Sequence, residues 1–101
     1  PYRWRLDLQT GQVTECPIDD LGIDFPVVPD SLVGRYHRYG YFAQFGQAAP
    51  TVEGWHKYDM VSGQRQSHML KGGRSGSEAR FVPAAAGASE DDGYLLTYVY
   101  D

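Results

Sequence analysis

The sequence predicts an all-β fold, and three observations carry that prediction. Apolar and polar residues alternate over positions 2–8, and every second residue over 39–45 is apolar, the two-residue period of strands with one face covered. Aromatic residues make up 14% of the chain, eight of them Tyr, and such residues favour pleated, half-buried surfaces. No stretch carries the 3.6-residue apolar period of an amphipathic helix.

The elements follow in chain order. In Tyr2-Arg3-Trp4-Arg5-Leu6-Asp7-Leu8, the residues Tyr2, Trp4, Leu6 and Leu8 share one face and Arg3, Arg5 and Asp7 the other. Thr10-Gly11 supplies a turn and residues 12–16 return, which makes a hairpin. Residues 17–32 carry three prolines among Asp19, Asp20, Asp24 and Asp30 and are expected to form a long connection. A strand over 35–45 puts Tyr39, Tyr41, Ala43 and Phe45 on one face. A loop is expected over 46–54, then a second hairpin from 55–60 and 64–70 that turns at Ser62-Gly63. Residues 71–76 (KGGRSG) read as loop. A short strand over 78–82 stops at Pro83, and the acidic turn Glu90-Asp91-Asp92-Gly93 leads into residues 94–100. That last run is apolar almost throughout and rich in Leu, Val and Tyr, as expected of a strand covered on both faces.

Composition bounds the function. A chain of 101 residues with 42% apolar residues and a net charge of −4 is one small domain or a piece of a larger one. The acidic balance and the lack of a basic run give no electrostatic footprint for nucleic acid. Arg35 and Arg38 are therefore expected to pack with Tyr36, Tyr39 and Tyr41 inside the sheet rather than to form a base-stacking platform. No apolar run reaches the roughly 20 residues of a membrane-spanning helix, and the start lacks the regions of a signal peptide, so a cytoplasmic location is expected. Cys16 has no partner for an internal disulfide and no histidine near it in sequence, which favours a half-buried strand cysteine over a nucleophile. The acidic turn has too few spaced oxygens for an EF-hand loop and is expected to be solvated. The chain starts at Pro rather than Met, and a fragment of a longer protein is expected.

An internal repeat organises the elements. Asp7-Leu8-Gln9-Thr10-Gly11-Gln12 matches Asp59-Met60-Val61-Ser62-Gly63-Gln64, 52 residues later, and both copies fall at the tip of a strand–turn–strand unit. A repeat of about 50 residues with about four strands is the signature of propeller blades. Two unrelated hairpins with the same turn chemistry are the alternative.

The ordered motifs carry a resemblance. Arg3-Trp4-Arg5-Leu6-Asp7-Leu8, Asp24-Phe25-Pro26, Val33-Gly34-Arg35, His37-Arg38-Tyr39-Gly40-Tyr41 and Lys57-Tyr58-Asp59 follow one another, then Glu78-Ala79-Arg80-Phe81-Val82-Pro83 and Glu90-Asp91-Asp92-Gly93. In that order and spacing, over essentially the whole chain, the sequence resembles the carotenoid cleavage oxygenases, the family of the lignostilbene dioxygenases and retinoid isomerohydrolases. The resemblance implies about two blades of a seven-bladed β-propeller whose axis holds a non-haem Fe(II) on four histidines. It implies cleavage of a C=C bond of a carotenoid, apocarotenoid or stilbene by O2 into two carbonyl products. The partners implied are an apolar polyene or stilbene and O2; contact with a membrane surface is compatible with the family and not indicated by these residues. A non-catalytic propeller piece used for binding is the alternative. The isolated 101 residues are expected to be inactive.

None of the three histidines, His37, His56 and His68, sits in a two-histidine metal spacing, and the resemblance places the iron ligands before Pro1 and after Asp101. What it implies here is support for those ligands. A metal-bound histidine needs an acceptor for its second ring N–H, and a carboxylate fixes the tautomer and raises basicity. Glu78 falls on one such family glutamate; from composition alone it reads as a solvated strand-end residue. Asp24 falls on another, one methylene and about 1.5 Å shorter than the family's Glu. Ala79 replaces the motif's proline, and Arg80 stands where the family has an apolar residue. On a strand, Glu78 and Arg80 share a face, so Arg80 is expected either to pair with Glu78 and weaken iron binding or to escape outward through a bulge.

Overall fold

The computed structural model describes residues 1–47 and 50–101. Ten strands run through it: β1 Tyr2–Leu6, β2 Val13–Pro17, β3 Ile23–Val27, β4 Tyr39–Phe45, β5 Val52–Asp59, β6 Arg65–Met69, β7 Ser75–Gly76, β8 Arg80–Pro83, β9 Gly93–Leu96 and β10 Val99–Tyr100. The only helical element among the described residues is a single 3-10 turn, Asp30–Leu32. The chain is all-β.

Strands β3, β4, β5 and β6 pair antiparallel in succession, which makes one complete four-stranded blade. β1 and β2 form a separate hairpin, and the 52-residue offset maps β2 onto β6 residue for residue. β8 and β9 form another two-stranded sheet, and β9 maps into β4 by the same offset. The architecture is thus a partial β-propeller: a whole blade with two strands of a blade on either side. β7 adds to β5 through Val52 and Gly76, and β10 adds to β7.

The repeated hairpin tips have one geometry. The Asp7 carbonyl accepts the Gly11 N–H and the Asp59 carbonyl the Gly63 N–H, each at 2.8 Å. Asp7 Oδ1 takes the N–H groups of Gln9 and Thr10, and Asp59 Oδ1 those of Val61 and Ser62. Gly11 and Gly63 sit at φ 71° and 74°, a region open to glycine. The same turn chemistry accounts for these matching bonds; the correspondence beyond the tips is the offset that carries β2 onto β6 and β9 into β4.

The core lies between the complete blade and the β8–β9 pair. Ala43, Val52, Trp55 and Ala79 are buried together, with Phe45, Leu70 and Leu95 against them. Tyr41 stacks on Phe81 with ring centroids 5.1 Å apart. These contacts come from the expected face of β4, where Tyr41 and Ala43 are buried and Tyr39 is half-buried. The opposite face carries Phe42, His56 and Tyr58, with Tyr58 edge-on to Phe42.

Several expectations are corrected. The connection over 17–32 contains β3; its prolines did not prevent a strand because Pro26 sits where the β3–β4 register shifts and no ladder N–H is required. The loop over 46–54 gives way to β5 from Val52, and Ala48 and Ala49 of that stretch lie outside the described residues. Residues 75–76 of the glycine-rich loop pair as β7. The strand expected over 78–82 runs from Arg80 to Pro83 and leaves Glu78 outside it. The run 94–100 is two short strands, and Tyr94, Leu96, Tyr98 and Tyr100 are exposed rather than covered. Among the described residues, none packs over that face closely enough to bury it. Cys16 is exposed, not half-buried.

Candidate functional site

The two motif segments that carry Asp24 and Glu78 come together at one cleft. Pro26, Val27 and Val28 line one side and Glu78, Ala79 and Arg80 the other, around a volume of about 450 Å³. Ala79 is buried in the core against the blade, which anchors the segment and holds its neighbour Glu78 at the rim. The Glu78 carbonyl accepts a bond from Thr97 Oγ1 at 3.2 Å, so the backbone is tied while the side chain is exposed. Among the described residues, its carboxylate has no hydrogen-bond or ion-pair partner.

Arg80 does not take Glu78. Its guanidinium pairs with Asp30 on the 3-10 turn across the cleft, Nη2 to Oδ2 at 2.5 Å. The shared-face argument fails because Glu78 precedes the strand, where alternation does not apply. The second outcome expected for Arg80, an outward escape, is nearer the structure, although a carboxylate rather than a bulge directs it.

Asp24 behaves differently. Oδ1 accepts the N–H of the next residue, Phe25, at 2.8 Å. Phe25 has φ 52°, the one non-glycine residue with positive φ among the described residues. The register gains a residue between Asp24 and Val27, a bulge. Bulges and left-handed non-glycine residues cluster at sites where a side chain must be re-aimed. Asp24 itself does not line the cleft that Glu78 lines. The sequence carries no local signal of this kink, since Pro26 by itself favours an extended Phe25.

The histidines do not converge. His37 Nδ1 lies 3.2 Å from the Arg35 carbonyl, and His68 stacks on Trp55 with centroids 6.5 Å apart. His56, on the hairpin of β5 and β6, is 3% exposed, with Nδ1 2.8 Å from Ser67 Oγ and Nε2 2.6 Å from Gln44 Oε1. Burial pushes its pKa down, the Arg65 charge pushes the same way, and Asp19 opposes them. Among the described residues no three His, Cys, Asp or Glu side chains gather as a metal site. The Glu78 carboxylate stands at the cleft rim as a single hydrogen-bond acceptor without a protein donor among the described residues.

The acidic turn before β9 is structural, not solvated. Glu90 Oε1 accepts the N–H groups of Arg38 and Tyr39 at 2.6 and 2.7 Å. Asp91 pairs with Lys57 at 2.7 Å, and the Lys57 ammonium sits 4.4 Å from the centre of the Tyr39 ring. Arg38 grips Asp59 through two nitrogens, and that fork holds the Asp59 carboxyl well below the usual carboxylate range. Separations of 21 to 52 residues hid these bonds from the sequence. Tyr36, expected within the sheet, is 82% exposed.

Comparison with known proteins fits this geometry. The profile of the retinal pigment epithelial membrane protein family matches residues 1–101. The chain is 38% identical over 105 residues to a probable carotenoid cleavage dioxygenase 4, chloroplastic, of Arabidopsis thaliana, covering 96% of this chain and 18% of the relative. It is 33% identical over 102 residues to a carotenoid cleavage oxygenase of Mycobacterium tuberculosis, covering 95% and 20%. The crystal structure of the cobalt-substituted Synechocystis apocarotenoid oxygenase superposes with a TM-score of 0.86 at 29% identity, covering 98% of this chain and 21% of that one. The chain spans about a fifth of the length of the curated relatives it matches.

Proposed function

The chain belongs to the retinal pigment epithelial membrane protein family, and from that premise we propose that its parent is an Fe(II)-dependent dioxygenase. It splits one C=C bond of a carotenoid, apocarotenoid or stilbene with O2, and each former alkene carbon leaves as a carbonyl. The names of the relatives support the reaction class, and the cobalt substitution of the Synechocystis neighbour supports a metal. When bound, the iron supplies activation of O2, which is unreactive toward closed-shell alkenes by itself. Its histidine ligands are expected from parts of the parent outside these residues.

This chain's share is to hold a ligand in place. Glu78 accepts the second ring N–H of an iron histidine, which keeps the metal-facing nitrogen deprotonated and the ring fixed. Asp24 does the same for another histidine through Oδ2, since Oδ1 is occupied by the Phe25 N–H. The single observation that carries the reading is the unpartnered Glu78 carboxylate at the rim of a cleft beside a bulged, left-handed segment. A glutamate at a solvated strand end needs no such setting.

The test is iron content of the full-length parent. Glu78→Ala is expected to lower iron affinity and alkene cleavage by about 10–100-fold, with Glu78→Gln, which keeps an acceptor oxygen, losing less. Full iron occupancy and wild-type turnover in both variants would sink the assignment. A parent with no iron and no cleavage activity would return the chain to a binding role.

A further inference from the structure

We propose that the cleft between the β1–β2 hairpin and residues 33–38 is an anion site that takes a phosphate group. Nine lysines and arginines serve this chain, whose net charge is −4. Arg38, Lys57, Arg65, Arg74 and Arg80 each pair with an aspartate. Of the four cations without an ion pair among the described residues, three are Arg3, Arg5 and Arg35, and all three line this one cleft of about 340 Å³. His37, Tyr2 and Tyr36 complete its wall. In an acidic chain that pairs its other cations apart from Lys71, three unpaired guanidinium groups at one place call for an anion.

The setting explains why no internal carboxylate answers them. Arg3 and Arg5 stand opposite Cys16 and Thr14 on one face of the hairpin. Glu15 stands opposite Trp4 on the other face and accepts the indole N–H at 2.8 Å. Asp7 is bound into its own turn. Arg3 gives one nitrogen to the Met60 carbonyl at 3.4 Å, which ties the hairpin to the tip of the complete blade and leaves its other donors free. Both walls of the cleft are therefore supplied by this chain. Guanidinium forks match phosphate oxygens bidentately, and the exposed Tyr36 adds a hydroxyl donor to the same cleft. The same chemistry serves a free phosphate or the headgroup of an acidic phospholipid.

The experiment uses the full-length parent at low ionic strength, where exposed charges are least screened. Inorganic phosphate is titrated calorimetrically, and co-sedimentation is measured with phosphatidylcholine vesicles with and without phosphatidic acid. Arg5→Gln and Arg35→Gln are compared with Lys71→Gln, which removes the same charge from the fourth unpaired cation, outside the cleft; Arg5→Lys checks that the hairpin keeps its fold. Saturable phosphate binding that drops about tenfold or more in the two arginine variants and is unchanged in Lys71→Gln supports a free-phosphate site. The same ranking seen only with phosphatidic acid vesicles supports a headgroup site. Absence of both kinds of binding in the wild type, or equal losses in the arginine and Lys71 variants, overturns the proposal.

Discussion

Asp30 decides what Glu78 is free to do. Without it, the Arg80 guanidinium would stand two residues from an unpaired carboxylate on the same cleft. Under the proposed role of Glu78, Asp30→Asn in the parent is expected to release Arg80 toward Glu78 and bring iron content down toward that of Glu78→Ala. Arg80→Val alone is expected to leave iron content unchanged, and the double variant to restore it. Unchanged metal content in Asp30→Asn would show that Arg80 has no hold on the site. His56 gives a second test at this scale. Its folded-state pKa lies below the ordinary value, so the unfolded chain takes up its proton first as pH falls. Stability is therefore complete above about pH 6.5 and declines as pH drops below it. In chemical denaturation of the parent between pH 7 and 5, His56→Gln is expected to flatten this slope; an unaltered slope would mean another group carries it. The residue scale is also where the sequence was least informative. The motif located Glu78 and Asp24, but which carboxylate Arg80 chose depended on a turn 50 residues away.

At the scale of elements, the acidic turn before β9 is the staple between the complete blade and the next pair of strands. One Glu90 oxygen satisfies two consecutive N–H groups at the start of β4. Glu90→Ala leaves both donors without that acceptor and is expected to cost the parent about 1–3 kcal/mol, with Glu90→Gln less affected; an equal melting temperature in all three proteins would show the staple to be idle. The hairpins and the buried face of β4 were legible because they rest on two-residue alternation and turn chemistry, which are local. β3 was not, because prolines and aspartates suppress the local strand signal and the partner β4 supplies the ladder. β7 was not, because a two-residue strand has no period to detect. The exposed faces of β9 and β10 were misjudged for a related reason. An apolar run reports what a strand requires, and coverage is set by neighbours.

The whole molecule is spread out for its size. Its radius of gyration is 15.0 Å, against about 13 Å for a compact chain of 100 residues. β1 and β2 are exposed along their whole length. Tyr2, Trp4, Leu6, Tyr98 and Tyr100 are among the large apolar side chains open to solvent. Unpaired strand edges beside such faces promote association. The 101 residues alone are expected to be oligomeric or to melt without cooperativity; sedimentation velocity showing a monomer together with a sharp two-state melt would contradict this. The strand order has a further consequence for how the protein is made. Every strand of the complete blade pairs with the one just synthesised, so the blade closes through short loops with little entropic penalty. The β1–β2 and β8–β9 pairs close by the same local route, but each is only two strands of a blade. On the ribosome, the middle of this segment becomes a four-stranded piece as soon as β6 has emerged, and a translational pause is best tolerated at that point.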